Sequence, residues 1–167
     1  LYKFTQLQTS FSCNMLALNG GRPEQLDLKA FLSAFVTFRE EVVARRTAHD
    51  LRKARERSHV LCGLAVAVSN VDEIVETIRS SADPGEARDR LTRRRWPAKE
   101  IKEFILLIDD PSHKINDDET YFLSQKQARA ILELRLQRLT ALGVSEVSDE
   151  LKELASKIKQ YLSILSS

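Results

Sequence analysis

The sequence predicts a mainly α-helical protein: a long antiparallel coiled-coil arm, a helical knob at the tip of the arm and a short β-hairpin at its base. The 167 residues include only four prolines and five glycines, which allows long uninterrupted helices. One helical pattern continues over residues 28–70 without a proline. A second pattern, near the end of the chain, repeats its apolar residues at alternating spacings of four and three, which is typical of a coiled coil.

The first 27 residues are predicted to form the base of the arm, at the edge of a larger domain. Residues 11–18 (FSCNMLAL) are a predicted strand, and the turn signal NGGRP that follows requires positive φ angles. A second short strand around Gln25 and Leu26 would complete a hairpin. Asp27 is then a suitable N-cap for a helix that begins at Leu28.

The outgoing helix, residues 28–70, changes character midway. Its first part carries bulky apolar residues, namely Leu28, Phe31, Leu32, Phe35, Phe38 and Val42. Its second part carries a seam of small and medium residues, namely Ala44, Thr47, Leu51, Ala54, Ser58, Leu61, Ala65 and Val68. A thin seam of this kind favours one close partner helix over a thick core.

Residues 143–167 supply the predicted partner helix. Their apolar residues, at spacings of four and three, are Val147, Leu151, Leu154, Ile158, Tyr161 and Leu165. At ~1.5 Å per residue the returning helix is roughly 35 Å long and the outgoing one roughly 60 Å. The returning helix can therefore cover only residues 47–70, and the two helices should run antiparallel.

Residues 71–142, between the two arm helices, are predicted to fold into the knob. Residues 71–80 form a short helix, and a second one starts at Asp83, with Pro84 at its first position and Glu86 at its third. Another helix follows Pro97 and buries Ile101, Ile105 and Ile108. After a polar stretch over residues 109–120, residues 121–123 are extended, and Ser124 with Gln127 forms a capping box.

The last knob helix, residues 127–142 (QARAILELRLQRLTAL), has a wider apolar surface than one contact requires. On a projection at about 100° per residue, seven apolar residues cover an arc of roughly 200°, and Arg135 and Arg138 lie inside it. Those seven are Ala128, Ile131, Leu132, Leu134, Leu136, Leu139 and Leu142. In one interpretation this is a core helix whose two arginines extend outward along apolar neighbours.

In the alternative interpretation the apolar arc consists of two separate contact faces. Leu132, Leu136 and Leu139 would pack on the knob, whereas a second copy of the chain would meet the residues Ile131, Leu134, Arg135, Arg138 and Leu142. A two-fold contact places a patch against itself, and buried arginines then need carboxylates or carbonyls nearby. The candidate carboxylates are Asp109, Asp110 and Glu133.

Basic residues on the outgoing helix are possible DNA-facing residues. They are Arg45, Arg46, Arg52, Lys53, Arg55 and Arg57. Such a run is usually the solvated face of a coiled coil, and the alternative is that some of these residues attract phosphates without reading bases. The run Arg93-Arg94-Arg95-Trp96 offers the same choice, and a helix end with a packed indole is favoured.

Composition limits the classes of function. The net charge of +2 does not by itself indicate nucleic-acid binding. Cys13 and Cys62 lack a disulfide pattern, so two free thiols are expected, and the three histidines lack metal-ligand spacing. The acidic residues 116–119 lack the spacing of a calcium loop. No apolar run approaches the ~20 residues of a membrane span, and a chain that starts without Met is expected to be a piece of a larger protein.

Three long phrases of the sequence carry a family resemblance: LYKFTQLQTSFSCNMLALNGG, VVARRTAHDLRKARERSHVL and LSQKQARAILELRLQRLTAL. They resemble the A subunits of the type IIA DNA topoisomerases, DNA gyrase more closely than topoisomerase IV, and the similarity covers essentially the whole chain. The resemblance implies the segment after the DNA-cleaving domain: the edge of the tower domain, the coiled-coil arm and the exit gate, or C-gate, through which two copies dimerise.

The resemblance also implies what this segment lacks. The family's DNA-cleaving nucleophile is a tyrosine directly after an arginine, and Tyr2, Tyr121 and Tyr161 all stand in other contexts. The segment alone is therefore expected to cut no DNA and to bind no cofactor or metal. The parent enzyme is expected to use ATP and magnesium through its partner, the gyrase B subunit, and to act on double-stranded DNA in the bacterial cytoplasm.

Two alternatives remain open at the level of sequence. The corresponding polypeptide of topoisomerase IV is not separated from that of gyrase, because the gyrase domain that wraps DNA would lie beyond Ser167. A non-enzymatic coiled-coil dimerisation module would also present an arm with a dimerising tip. Such a module would not need the hairpin or the bulky first part of the outgoing helix, which are shaped to dock on a further domain.

Overall fold

The computed structural model describes residues 1–108, 116, 118–134 and 144–166. They form two compact units, Leu1–Arg46 and Thr47–Ser167, each of which is described by itself. The helices are α1 (Leu28–Ser69), α2 (Val71–Arg79), α3 (Pro84–Arg93), α4 (Lys102–Ile108), α5 (Gln125–Glu133) and α6 (Val144–Leu165), and a 3-10 turn at Lys99–Ile101 precedes α4. The strands are β1 (Leu16–Asn19), β2 (Arg22–Gln25), β3 (Arg95–Pro97) and β4 (Thr120–Phe122). The prediction of a mainly helical protein with a hairpin is confirmed.

The first unit contains the predicted hairpin. Strands β1 and β2 pair antiparallel, with Leu16 opposite Gln25 and Asn19 opposite Arg22. Gly20 and Gly21 form the turn with φ angles of +58° and +80°, as a two-residue hairpin loop requires. The strand predicted over residues 11–18 was wrong at its start, because β2 has only four residues and offers partners to Leu16–Asn19 alone.

The start of α1 was predicted correctly. The backbone N–H of Ala30 donates to Asp27 Oδ1 at 2.7 Å, which satisfies one of the free N–H groups in the first turn. The bulky residues of this part of α1 are exposed: Phe31 by 39%, Phe35 by 56% and Phe38 by 56%. They line a cleft of about 220 Å³ beside the hairpin residue Leu18, so this apolar surface is left uncovered by the described residues of the unit.

In the second unit, α1 and α6 pack antiparallel. Leu51 and Ala54 form a buried cluster with Ile158, and further along α1 the Arg57 guanidinium lies 2.8 Å from the Glu150 carboxylate on α6. Residues later in α1 thus contact residues earlier in α6, which is the arrangement of two antiparallel helices. The residues of α1 that are buried begin at Thr47.

One buried hydroxyl group of α1 has no hydrogen-bond partner among the described residues. Ser58 is 3% exposed, and its hydroxyl has no hydrogen-bond partner among the residues described. A buried polar group without a partner costs ~1 to 3 kcal/mol. The serine is small enough for close helix packing, but its oxygen contributes nothing that offsets its desolvation.

We therefore expect Ser58→Ala to raise the free energy of unfolding by about 1 kcal/mol and the melting temperature by about 3 °C, measured by thermal and denaturant unfolding. Ser124→Ala is the matched control, since that hydroxyl accepts the Gln127 N–H at 3.1 Å and its loss should destabilise by ~1 kcal/mol. If Ser58→Ala instead lowered the free energy of unfolding, the interpretation that the Ser58 hydroxyl is buried without a partner would be contradicted.

The main core of the second unit is formed by α2–α6, the 3-10 turn, strands β3 and β4 and the second part of α1. Trp96 is fully buried, and its indole N–H donates to the Leu91 carbonyl oxygen at 2.9 Å. The predicted helix start at Asp83 is confirmed, because Asp83 Oδ1 accepts the Glu86 N–H at 2.8 Å. Ile101 and Ile105 are buried as predicted, at 6% and 5% exposure.

The helix predicted over residues 127–142 was wrong at Leu134. Helix α5 ends at Glu133, and Leu134 has extended backbone with φ −71° and ψ 132°. No glycine or proline marks this end in the sequence; instead the Leu134 side chain packs against the core. Residues 135–142, which the prediction also covered, lie outside the described residues.

Among the helices described, none is long and apolar enough to cross a membrane.

Candidate functional surfaces

A buried polar network fixes the start of α5 on α1. Gln127 is fully buried, and its Nε2 donates to the His59 carbonyl oxygen at 2.6 Å and to the Tyr121 hydroxyl at 3.0 Å. Its Oε1 accepts the Ser124 N–H at 2.9 Å, which completes the predicted capping box. The His59 ring is also 2.7 Å from Ser124 Oγ. One side chain thus connects α1, β4 and the cap of α5.

This network depends on a glycine in α1. A Cβ atom added to Gly63 would lie 2.6 Å from both Cβ and Cγ of Gln127, far inside normal van der Waals contact. From the sequence, Gln127 was predicted only as a capping residue, and Gly63 was not singled out. The available signal was that Gly63 is the single glycine in a helix of 42 residues, where close approach of another element is a common reason for glycine.

The predicted association residues fall into two groups. Ile131 is 1% exposed and belongs to the core of its own unit, so its side chain is not available to a second copy. Leu134 is half-buried and packs against the same core. Arg135, Arg138 and Leu142 lie outside the described residues, as do the candidate partners Asp109 and Asp110, whereas Glu133 is exposed at the end of α5. The interface itself stays a prediction.

The predicted DNA-facing residues of the second unit lie on two sides of α1. At about 100° per residue, Arg52 and Arg55 point in one direction and Lys53 and Arg57 in another, roughly 150° away. Arg57 is held by Glu150 of α6, and Arg52 hydrogen bonds to the His49 ring at 3.1 Å. A single ligand surface therefore cannot contact all four.

The remaining two residues of that prediction belong to the first unit. Arg45 pairs with Glu41 one turn earlier, at 3.0 Å, and both side chains are 69% exposed. Arg46 is exposed too. An exposed pair of this kind contributes little to stability, so the pair is compatible with either of the interpretations given for the basic run.

The run Arg93-Arg94-Arg95-Trp96 has the structural role that the sequence favoured. Helix α3 ends at Arg93, and Trp96 is buried. The Arg94 guanidinium lies 4.8 Å from the centre of the Trp96 ring and pairs with Glu73, while Arg95 pairs with Asp118 at 3.4 Å. A hydrogen bond from Thr120 is the main cause that lowers the pKa of the Asp118 carboxyl.

The tyrosines and the cysteines considered in the sequence lie in different environments. Tyr121 is 1% exposed, Tyr161 packs beside Ile158, and Tyr2 is 70% exposed. Cys13 and Cys62 are both free thiols, and burial raises the pKa of the Cys62 thiol to about 12, so this thiol stays neutral. Within the described part of the chain, no three His, Cys, Asp or Glu residues are grouped as metal ligands would be.

Comparison with known proteins shows the class to which the chain belongs. The family model that describes the A subunit of DNA gyrase/topoisomerase IV matches residues 1–167. The chain therefore belongs to this family of A subunits, and the resemblance seen in the sequence is confirmed.

Individual relatives carry the name of the A subunit of DNA gyrase. Those of Granulibacter bethesdensis and Rickettsia bellii are 47% and 46% identical over the whole chain, and that of Pseudomonas aeruginosa is 43% identical. The chain spans 18%, 18% and 19% of these three proteins. It thus corresponds to less than a fifth of the length of its relatives.

Proposed function

We propose that the chain is the exit-gate (C-gate) segment of the A subunit of a bacterial type II DNA topoisomerase, DNA gyrase. Two copies associate through the knob and hold the A-subunit dimer together while DNA is broken elsewhere in the enzyme. The contact then opens transiently, and the transported duplex leaves during supercoiling. The names of the relatives favour gyrase over topoisomerase IV.

The observation that carries the proposal is the antiparallel packing of α1 on α6 in a chain matched over its whole length to the A-subunit family. Helices α2–α5 occupy the sequence between these two helices. This connectivity supports an arm, residues 28–70 and 143–167, that carries a knob, residues 71–142. The exposed phenylalanines of α1 support a docking role for residues 1–27 and the start of the arm, at the edge of a tower domain.

The proposed parent enzyme is an ATP-dependent isomerase. It would work with the gyrase B subunit, which would supply ATP and magnesium binding, and with double-stranded DNA in the cytoplasm. No tyrosine of this chain follows an arginine, so the DNA-cleaving group would belong to another segment of the parent polypeptide. The segment alone is accordingly proposed to be inactive.

A gate contact must be specific and still able to separate. We therefore expect an interface near the standard ~1,600 Å² of total buried area rather than an extended apolar core. Mixed leucines and arginines suit this requirement, since an exposed arginine is well solvated when the surfaces part. Because Ile131 is already buried in its own unit, the proposed contact depends on Leu134, Arg135, Arg138 and Leu142.

Solution mass tests the proposed association. Gel filtration with light scattering should give a dimer for the 167-residue chain at tens of micromolar. Arg138→Glu should shift the mass towards the monomer, because the proposed carboxylate partners of Arg138 would then face a like charge instead of a guanidinium. Arg93→Glu is the matched control, as Arg93 is exposed at the end of α3. A monomeric wild type would overturn the proposal, and a dimeric Arg138→Glu would overturn the residue assignment.

A further inference from the structure

The polar network around Gln127 lies where α1 passes from one buried cluster to another. Ala54 of α1 belongs to the small cluster with Ile158 of α6, whereas from Leu61 onwards α1 packs in the main core of the second unit. The His59 carbonyl oxygen, which accepts the Gln127 amide at 2.6 Å, lies between these two stretches. Helix α5 is thus attached to α1 at the boundary of the two clusters.

This attachment specifies one position of α5, because both polar atoms of the Gln127 amide have two partners. The nitrogen donates to the His59 carbonyl oxygen and to the Tyr121 hydroxyl. The oxygen accepts the Ser124 N–H at 2.9 Å and the Tyr121 hydroxyl at 3.2 Å. A buried network whose members are all satisfied defines a single arrangement more strictly than apolar packing does. Gly63 narrows the choice further, because the Gln127 side chain lies where the Cβ of any larger residue would be.

Helix α5 carries this fixed position towards the proposed gate contact. It has nine residues and is therefore roughly 14 Å long. Ala128 and Ile131 are buried along its inner side, and Leu134, directly after the helix, packs against the same core. Leu134 is also the first residue of the proposed contact. A tilt of α5 by about 5° at Gln127 would displace Leu134 by roughly 1 Å over this distance.

The symmetry of the proposed contact would double the effect of such a displacement. A two-fold contact contains the same residues from both copies, so a shift of roughly 1 Å in each changes the fit of facing side chains by up to about 2 Å. The core of an interface is packed as densely as a protein interior, and a gap of this size loses much of the dispersion attraction. The affinity of the two copies should therefore depend on the position of α5.

We propose that Gln127 is a positioning residue for the gate: by fixing the start of α5 on α1, it determines where Leu134 and the residues after it meet the second copy. The proposal rests on the proposed function, because it concerns the same association. It also implies regulation. A change in the path of α1 at His59 reaches the gate through α5, and association at the gate strengthens the contacts of Gln127 by the same free energy, as linkage requires.

The dimer dissociation constant of the 167-residue chain, measured by analytical ultracentrifugation at several concentrations, tests the positioning role. We expect Gln127→Leu to raise this constant by about tenfold or more, and Tyr121→Phe, which removes a single hydroxyl group, by about threefold. Ile158→Ala is the control of comparable lost stability, because it empties a fully buried site in a cluster that contains no described residue of α5. At a temperature where circular dichroism shows every variant to be folded, this control should dimerise as the wild type does.

Hydrogen exchange of the wild type tests the reverse effect without any substitution. The backbone N–H groups of Ser124 and Gln127 are both hydrogen bonded within the network. We expect them to exchange about fivefold more slowly, or slower still, in the dimer than in chain diluted below the dissociation constant. The Glu86 N–H, held by the Asp83 cap of α3, is the internal reference and should exchange at the same rate in both samples.

Unchanged dissociation constants in both network variants, or an equal loss in Ile158→Ala, would overturn the positioning role and leave the gate in place. Equal exchange rates of the Gln127 N–H in monomer and dimer would overturn it too. Should Gln127→Leu be too unstable to measure, Tyr121→Phe and the exchange rates decide. A wild type that stays monomeric would instead overturn the gate and this proposal with it, so the two failures give different results.

Discussion

Replacing Gly63 by alanine is expected to destabilise the chain, although glycine-to-alanine changes inside helices usually stabilise. The usual gain is about 1 kcal/mol, from reduced flexibility of the unfolded chain and better helix propensity. Here the new methyl group would lie 2.6 Å from two carbons of Gln127. Overpacking of this kind costs about 1 to 3 kcal/mol or more, and Gln127 cannot move away without losing its hydrogen bonds to His59 and Ser124.

We therefore expect Gly63→Ala to lower the free energy of unfolding by about 2 kcal/mol and the melting temperature by about 6 °C, and Gly63→Val to cost more. Gly85→Ala, in the first turn of α3, is the comparison. Its added Cβ would meet only Asp83 Oδ1, at 2.9 Å, and displacing this cap oxygen from the Glu86 N–H should cost ~1 kcal/mol, less than Gly63→Ala. Calorimetry of the three variants is the measurement. A stabilised Gly63→Ala would mean that α5 does not approach α1 so closely.

Features encoded by short-range chemistry were predicted well from the sequence. The two-glycine turn, the cap at Asp27, the helix start at Asp83 and the capping box at Ser124 each need only a few neighbouring residues, whose side chains bond the local backbone. The packing of α1 on α6 was also predictable, because the spacing of apolar residues carries it over many turns.

Features that depend on distant contacts were not predicted. The end of α5 at Glu133 has no local stop signal, and the contact of Gly63 with Gln127 joins residues far apart in the sequence. For the same reason Ile131 was assigned to an outer face: an apolar arc of roughly 200° does not say which part of it the protomer buries. The division of the basic run into two sides of α1 was available from helix geometry alone.

The second large effect is expected at Gln127. Gln127→Leu keeps a similar volume, so little cavity forms, but the Ser124 N–H loses its acceptor and the Tyr121 hydroxyl loses a partner. Each unsatisfied buried group costs ~1 to 3 kcal/mol. The sum should exceed the gain from the added apolar surface, and we expect a loss of about 3 kcal/mol and about 9 °C in melting temperature. Gln125→Leu, exposed on the same helix, should change stability by less than ~0.5 kcal/mol.

A double-mutant cycle with Tyr121→Phe shows whether the network acts as one unit. If the Tyr121 hydroxyl and the Gln127 amide support each other, removing the hydroxyl should cost much less in the Gln127→Leu background than in the wild type. We expect a coupling of about 1 kcal/mol, which is typical of residues that share a hydrogen-bond network. Additivity of the two substitutions would mean that β4 and α1 hold α5 separately, and that Gln127 only caps the helix it begins.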